Sequence, residues 1–241
     1  MRPLTRRAVV LAGLGTSAGL LGGCALLPED LFAGWSREAA GPLQTPDYAK
    51  IYAAIPGEKH RVPAFDFTNT DPAFLRAEVA YAGTEPAGTL VVDPKNHHLY
   101  RVEGRGRARR YGIAVGPEAK GFSGQGVVAT RREWPDWSPA PVLASRGFAA
   151  WAQLGSPAAA SERPAGETAA RAIPGGPRSP LGARSLSLAS GGRETGFMIH
   201  GTPNPIAIGG PAKAGCIALI DQDIIDLYAR TPEGTTVVVL M

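Results

Sequence analysis

"TLVVDPKNHHLYRVE", Thr89–Glu103, decides the architecture. Apolar and β-branched residues fill "TLVVD" (89–93) and recur through "HLYRVE" (98–103). The turn-like Pro94-Lys95-Asn96 between them is a hairpin signal. The same texture runs outward along the chain. "RRYGIAVG" (109–116), "GFSGQGVVATRREW" (121–134), "ARSLSLAS" (183–190), "TGFMIHG" (195–201) and "TVVVLM" (236–241) each read as a short strand beside Gly or a turn. A helix is expected over "QDIIDLYAR" (222–230), with Asp221 as its cap and Ile224, Leu227 and Tyr228 on one face. A short helix is also expected in "DPAFLRAEVA" (71–80), capped by Asp71 with Pro72 at its first position. The expected fold is mainly β with a few short helices. Composition agrees, since 31 Gly and 22 Pro in 241 residues exceed average usage and favour turns over a helical bundle. No long-period repeat is present, which argues against solenoids and propellers.

The amino terminus reads as an export signal. "MRPLTRRAVVLAGLGTSAGLLGGC" has basic residues first and then an apolar run, Ala8–Leu21, shorter than the ~20 residues of a spanning helix. Thr5-Arg6-Arg7 resembles a twin-arginine signal, an address rather than an anchor. "LGGC", Leu21–Cys24, resembles the box before the lipid-modified cysteine of bacterial lipoproteins, so Cys24 is expected to carry lipid and hold the protein at an envelope membrane. The expected layout is a signal over 1–23, a tether over 24–47, a lead-in segment packing on the domain over 48–87, and the main domain over 88–241. Residues 155–180, rich in Pro, Gly and Ala, read as a flexible insert or lid.

The formal charge of +4 includes Arg2, Arg6 and Arg7 of the leader; without these three, 22 basic groups face 21 acidic ones. That balance gives no reason to expect a nucleic-acid partner, and Arg105, Arg107, Arg109 and Arg110 read as one solvated hairpin face. His60, His97 and His98 sit beside charged or turn residues and are expected to be solvated.

Two residues remain for chemistry. If Cys24 is lipidated, Cys216 has no disulfide partner, and in an oxidising compartment it is either a buried inert thiol or one kept for reaction. His200 ends the apolar "FMIH" and meets Gly201 and Thr202, where a strand passes into a loop. An imidazole beside a thiol of ordinary pKa ~8.5 can take its proton and generate the nucleophile. Backbone N–H groups of Ala214, Gly215 and Cys216 can converge as an oxyanion hole, where one donor is worth roughly 10²–10³ in rate. A backbone carbonyl such as that of Gly201 is the expected orienter of the ring. No Cys or His stands at metal-ligand spacing nearby, so neither metal nor cofactor is expected.

At these residues a resemblance enters. "IHGTPNPIAIGGPAKAGCIALIDQDIIDLYARTPEGTTVVVL" resembles the end of the L,D-transpeptidase (YkuD-type) catalytic domain, whose signature is HGT, an Ile-Gly, then Ser-x-Gly-Cys-Ile-Arg before a helix. The likeness runs back through "PLGARSLSL", "WPDWSPAP" and "GTLVVDPKNHHLYRVEGRGRARRYGIAVG", covering about residues 88–241. It implies a mixed β-sheet domain, sandwich- or barrel-like, acting on peptidoglycan stem peptides without a cofactor. It implies Cys216 as nucleophile and His200 as general base and acid, with a thioester formed on loss of D-alanine and passed to an amine. Thr202, Gly209 and Lys213 become substrate-binding candidates. The alternatives are a thiol L,D-carboxypeptidase on the same scaffold and a non-catalytic peptidoglycan-binding lipoprotein. Two positions depart from the signature. Lys213 stands where Ser is usual and Ala218 where Arg is usual, and a lysine cannot reproduce a guanidinium fork. Oligomeric state is not legible in the sequence.

Overall fold

The computed structural model describes residues 41–117, 119, 122–137, 172–212 and 216–241. The leader, Cys24, most of the tether, Lys213, Ala214 and Gly215 lie outside the described residues.

Among the described residues, ten strands form one mixed sheet. In chain order they are β1 (Ala77–Ala80), β2 (Leu90–Asp93), β3 (His98–Gly104), β4 (Arg107–Gly112), β5 (Ala114–Val115), β6 (Gly124–Glu133), β7 (Arg184–Ser190), β8 (Arg193–Thr202), β9 (Ile217–Ile220) and β10 (Thr236–Val239). Their order across the sheet is β1-β4-β3-β2-β10-β6-β7-β8-β9-β5. Only β10–β2 and β8–β9 run parallel; the other neighbours are antiparallel. Helices are short: α1 (Tyr48–Ile51), α2 (Asp221–Ala229), and 3₁₀ turns at Pro72–Phe74 and Pro205–Ala207.

The hairpin at 89–103 forms as its pattern requires, with Leu90 facing Arg101 and Val92 facing Leu99. Alternation then separates two cores. Leu90, Val92, Leu99, Leu186, Ile199, Ile217, Leu219 and Val237 point into one cluster that Ile224 and Leu227 of α2 close. Strands far apart in the sheet order meet there, so the sheet curls around its own inner face. Val91, Tyr100, Val102 and Ala108 face the other way with Val79. Each fully buried aliphatic contributes roughly 1.5–3 kcal/mol.

Several expectations need correction. "DPAFLRAEVA" is not one helix. Asp71 accepts from Ala73 N at 2.9 Å and starts a single 3₁₀ turn, after which Ala77–Ala80 becomes edge strand β1. The period-2 burial of Ala77 and Val79 outweighs local helix signals. "RRYGIAVG" splits, because β4 ends beside β3 while β5 crosses to pair with β9. Asp221 does not cap α2; it is the helix's first residue, Ile220 precedes it, and no side chain caps the end. Arg110 is 2% exposed, with Nη2 3.5 Å from Pro72 O, since it shares the inward parity of Ala108. His98 is also buried rather than solvated. Its Nε2 lies 3.1 Å from Ala73 O, and burial, assisted by Arg110, pushes its pKa down to about 4.

The segment before β1 is tied to the sheet and to α2. Leu43 N donates to Glu78 O at 2.8 Å, so the described end of the expected tether runs along the sheet edge. Tyr52 packs with Leu75, Phe65 and Ile220, and its hydroxyl donates to Asp223 Oδ2 at 3.2 Å. Gln222 Nε2 donates to Pro63 O at 2.8 Å. The end of the expected insert is pinned as well. Ile173 pairs with Trp137, Gly175 N donates to Asp136 Oδ1 at 2.6 Å, and Ser179 Oγ donates to Pro135 O at 3.0 Å.

Candidate active site

β8 and β9 bring His200 and Cys216 to one region although 15 residues separate them. Parallel pairing sets Ile199 beside Ile217 and His200 beside Ala218. On the other flank His200 faces Ser185 of β7, and Ala218 faces Ala114 of β5. Ser185, His200, Ala218 and Ala114 therefore form a row across four strands, with small side chains flanking the imidazole. Gly116 N donates to Cys216 O at 2.8 Å, which extends the β5–β9 ladder to the cysteine. Two residues before Ala218, Cys216 lies on the same face of β9 as that row, diagonal to His200.

Both groups are enclosed, with Cys216 5% and His200 3% exposed. His200 Nδ1 lies 2.6 Å from Gly201 O. A carbonyl only accepts, so Nδ1 carries the proton and Nε2 keeps its lone pair. Burial pushes the imidazole pKa down to about 4, against a smaller upward pull from Gly201 O. At neutral pH the ring is therefore an uncharged base in the Nδ1–H tautomer, able to accept a proton at Nε2.

Sequence reasoning missed Gly196. β8 carries two extra residues opposite β7 between Met198 and Glu194, and Gly196 has φ +73° within that bulge. Thr195 Oγ1 braces it, donating to Leu188 O at 2.8 Å and accepting from Phe197 N at 3.0 Å. Cys216 Sγ donates to Gly196 O at 3.7 Å. A glycine inside a strand pattern is itself a bulge signal, so "TGF" offered the clue.

The loop between β8 and β9 is shaped by the lead-in. Gly209 has φ +86°, its N–H donates to Ile113 O at 3.0 Å, and a β-carbon there would strike the Phe74 ring. Thr202 closes its turn by accepting from Asn204 N at 3.1 Å. It also lines a cavity of about 260 Å³ with Val62, Phe65, Trp134, Ile220 and Asp221. Thr202 and Ile220 are register partners two residues beyond the His200–Ala218 pair, so the cavity adjoins the site on the same face. Of the predicted site residues, the fold gathers Cys216, His200, Gly201 and Thr202, while Gly209 sits against Phe74. The described residues contain no cluster of His, Cys, Asp or Glu suited to a metal ion, and no helix among them is long and apolar enough to cross a membrane.

The family pattern of the L,D-transpeptidase catalytic domain (YkuD) matches residues 87–239. Two curated relatives, each named provisionally as an L,D-transpeptidase, are similar to shorter stretches. YkuD of Bacillus subtilis is 40% identical over 63 residues, 26% of this chain and 36% of the relative. YbiS of Escherichia coli is 37% identical over 78 residues, 32% of this chain and 24% of the relative. The matched stretches thus span about a quarter to a third of these relatives' length. A Brucella melitensis crystal structure, named provisionally as a carnitine operon oxidoreductase, is 38% identical over 73% of this chain and 99% of that one, with a TM-score of 0.43.

Proposed function

The chain belongs to the L,D-transpeptidase catalytic-domain family, and on that premise we propose that it is a peptidoglycan L,D-transpeptidase with Cys216 as nucleophile and His200 as its base. The observation that carries the proposal is the 2.6 Å bond from His200 Nδ1 to Gly201 O, made by a buried imidazole on the sheet face that Cys216 shares.

The chemistry follows from those groups. The Cys216 thiol attacks the carbonyl of the third residue of a tetrapeptide stem while its proton passes to His200 Nε2. Backbone N–H groups of Ala214, Gly215 and Cys216 receive the developing oxyanion. Collapse breaks the amide bond, the nitrogen of D-alanine takes the proton from His200, and the thioester remains. An acceptor amine then attacks the thioester and gives its proton to His200, and the thiol is released reprotonated. Burial of His200 favours a neutral thiol–imidazole pair at rest, because separated charges are costly in a poorly solvated pocket. The proton then moves during attack rather than before it. Lys213, where the family signature has Ser, is the candidate to supply positive charge to the substrate. Export by the leader and lipid on Cys24 would hold this chemistry at the cell envelope; a Cys24→Ala protein that still fractionates with membranes excludes the anchor.

The test is to incubate the full chain with disaccharide tetrapeptides and follow products by mass spectrometry. Cross-linked dimers with loss of D-alanine are expected. Tripeptides alone mean that water is the acceptor. Neither product, with no carbapenem adduct on Cys216, excludes both reactions and leaves a peptidoglycan-binding role. Cys216→Ser should abolish adduct and product.

A further inference from the structure

We infer that Asp221 is a positioning residue for His200, its carboxylate locking the Gly182–Ala183 backbone against Gly201, whose carbonyl holds the imidazole. The inference rests on the reading of His200 as the base and adds the group that keeps its orienting carbonyl in place.

Three observations converge on one oxygen. Asp221 Oδ1 accepts from Ala183 N at 2.9 Å. A β-carbon on Gly182, where φ is +59°, would collide with this same oxygen, and so would one on Gly201. Oδ1 thus fills a notch that two glycines leave open, in contact with the residue whose carbonyl accepts from His200 Nδ1 at 2.6 Å. The strap around the notch is fixed in turn. Trp134 N donates to Ala183 O at 2.8 Å and Gly182 N donates to Ser179 O at 3.0 Å. Without the carboxylate, Ala183 N loses its acceptor and Gly201 loses the wall behind it, beside a cavity that Asp221 itself lines.

A carboxylate at the start of α2 also suits the helix dipole, which by itself would make Asp221 only a stabiliser. The charges around it are Arg184, which favours its ionised form, and Glu58, which opposes it; burial is the largest influence and raises its pKa to about 6. Burial is the cause of the downward shift at His200, and the bond to Gly201 O opposes it. The route from Asp221 to the ring is then the backbone, and D221N, which removes the charge but keeps the oxygen, separates it from a direct effect of charge. A helix-stabilising role would lower the melting temperature and leave the imidazole unchanged.

The test uses the full chain with ¹⁵N-labelled histidine and compares wild type with D221A, D221N and D221S. One readout is the tautomer and titration of the His200 ring by NMR. The other is the pH dependence of Cys216 acylation by meropenem, followed by intact mass. Wild type should hold the Nδ1–H tautomer and resist protonation down to about pH 4. In D221A the ring should hydrate, titrate at least about one unit higher and lose tautomer purity. The acid limb of the acylation profile should move up with it by about one unit, the rate on that limb falling up to roughly 10-fold at a given pH. D221N keeps an oxygen for Ala183 N and should restore the wild-type titration. A folded D221A with the wild-type titration overturns the inference, and so does a D221N displaced as far as D221A. If D221A does not fold, D221S, too short to reach Ala183 N, takes its place, and the D221N comparison decides independently. Absence of a meropenem adduct in wild type would instead count against the transpeptidase reading, while the NMR titration still decides the role of Asp221.

Discussion

His200 donates through Nδ1 to the carbonyl oxygen of Gly201, its own neighbour in the chain, at 2.6 Å. The acceptor that orients the ring is thus a backbone carbonyl near the end of β8 rather than a carboxylate bonded to the imidazole. With the ring 3% exposed, the bond is also shielded from water.

Replacing His200 by Gln should therefore remove the proton acceptor while leaving the strand intact. Acylation of Cys216 by a carbapenem is expected to slow by roughly 10²–10⁴, the usual worth of a positioned general base. Stopped-flow acylation with a parallel thermal melt checks this; an unchanged rate in a folded variant would remove His200 from the mechanism.

Gly209→Ala should destabilise the loop that leads to Cys216. The new methyl group meets the Phe74 ring and the backbone stays at φ +86°. Overpacking and left-handed strain together are expected to cost about 2–4 kcal/mol. Gly210→Ala is the control, since its nearest contact would be Ala207 O at 3.7 Å. Urea denaturation of the two variants should separate them clearly; equal stabilities would refute the packing account.

Arg76→Met should strand a buried charge. Arg76 Nε lies 3.4 Å from Asp223 Oδ1 and its Nη1 3.2 Å from Asp226 Oδ1, with Asp223 wholly buried. Removing one partner of such a pair typically costs about 3–5 kcal/mol. Burial raises the Asp223 pKa to about 7, so the loss should grow as the pH passes through 7 and the carboxyl ionises. Chemical denaturation at pH 6 and pH 8 measures both effects, and a loss that is equal at the two pH values contradicts the second.

Asp221→Asn should change how stability responds to pH. Burial holds the folded carboxyl protonated up to about pH 6, whereas unfolded chains release that proton near pH 3.8. Between these values the folded state binds more protons, so Asp221 lowers stability as pH rises. His98 and His200, both pushed down to about 4 from 6.5, act oppositely in the overlapping window, because there the unfolded state binds more protons. Deleting the Asp221 contribution should leave stability rising more steeply with pH between 4 and 6, by about 1 kcal/mol per unit. Urea midpoints at pH 4.5 and 5.5 test the sign; a shallower slope in the variant would reverse it.

Strands were legible as short apolar or β-branched runs bounded by turns, as in Leu90–Asp93 and Thr236–Val239. His200 stood out because an apolar strand ended on it. The failures have a common cause. Asp71-Pro72 starts a 3₁₀ turn as a helix signal should, but pairing of β1 with β4 overrides the continuation. Arg110 and His98 looked solvated because charge and turn residues surround them in sequence, whereas their strand parity points them inward. Asp221 reads as a cap from its position, yet its oxygen is held by Ala183, 38 residues earlier.

The sequence by itself determined most of the strand elements, the family signature around His200 and Cys216, and which residue types could do the chemistry, because these depend on local pattern and residue identity. Only the tertiary structure decided that β9 inserts between β8 and β5, that Ser185 and Ala218 flank the imidazole, and that Asp221 backs Gly201. A hairpin's register follows from its turn and pattern, but strand order and the pairing of β9 with β8 and β5 arise from packing between segments far apart in the chain.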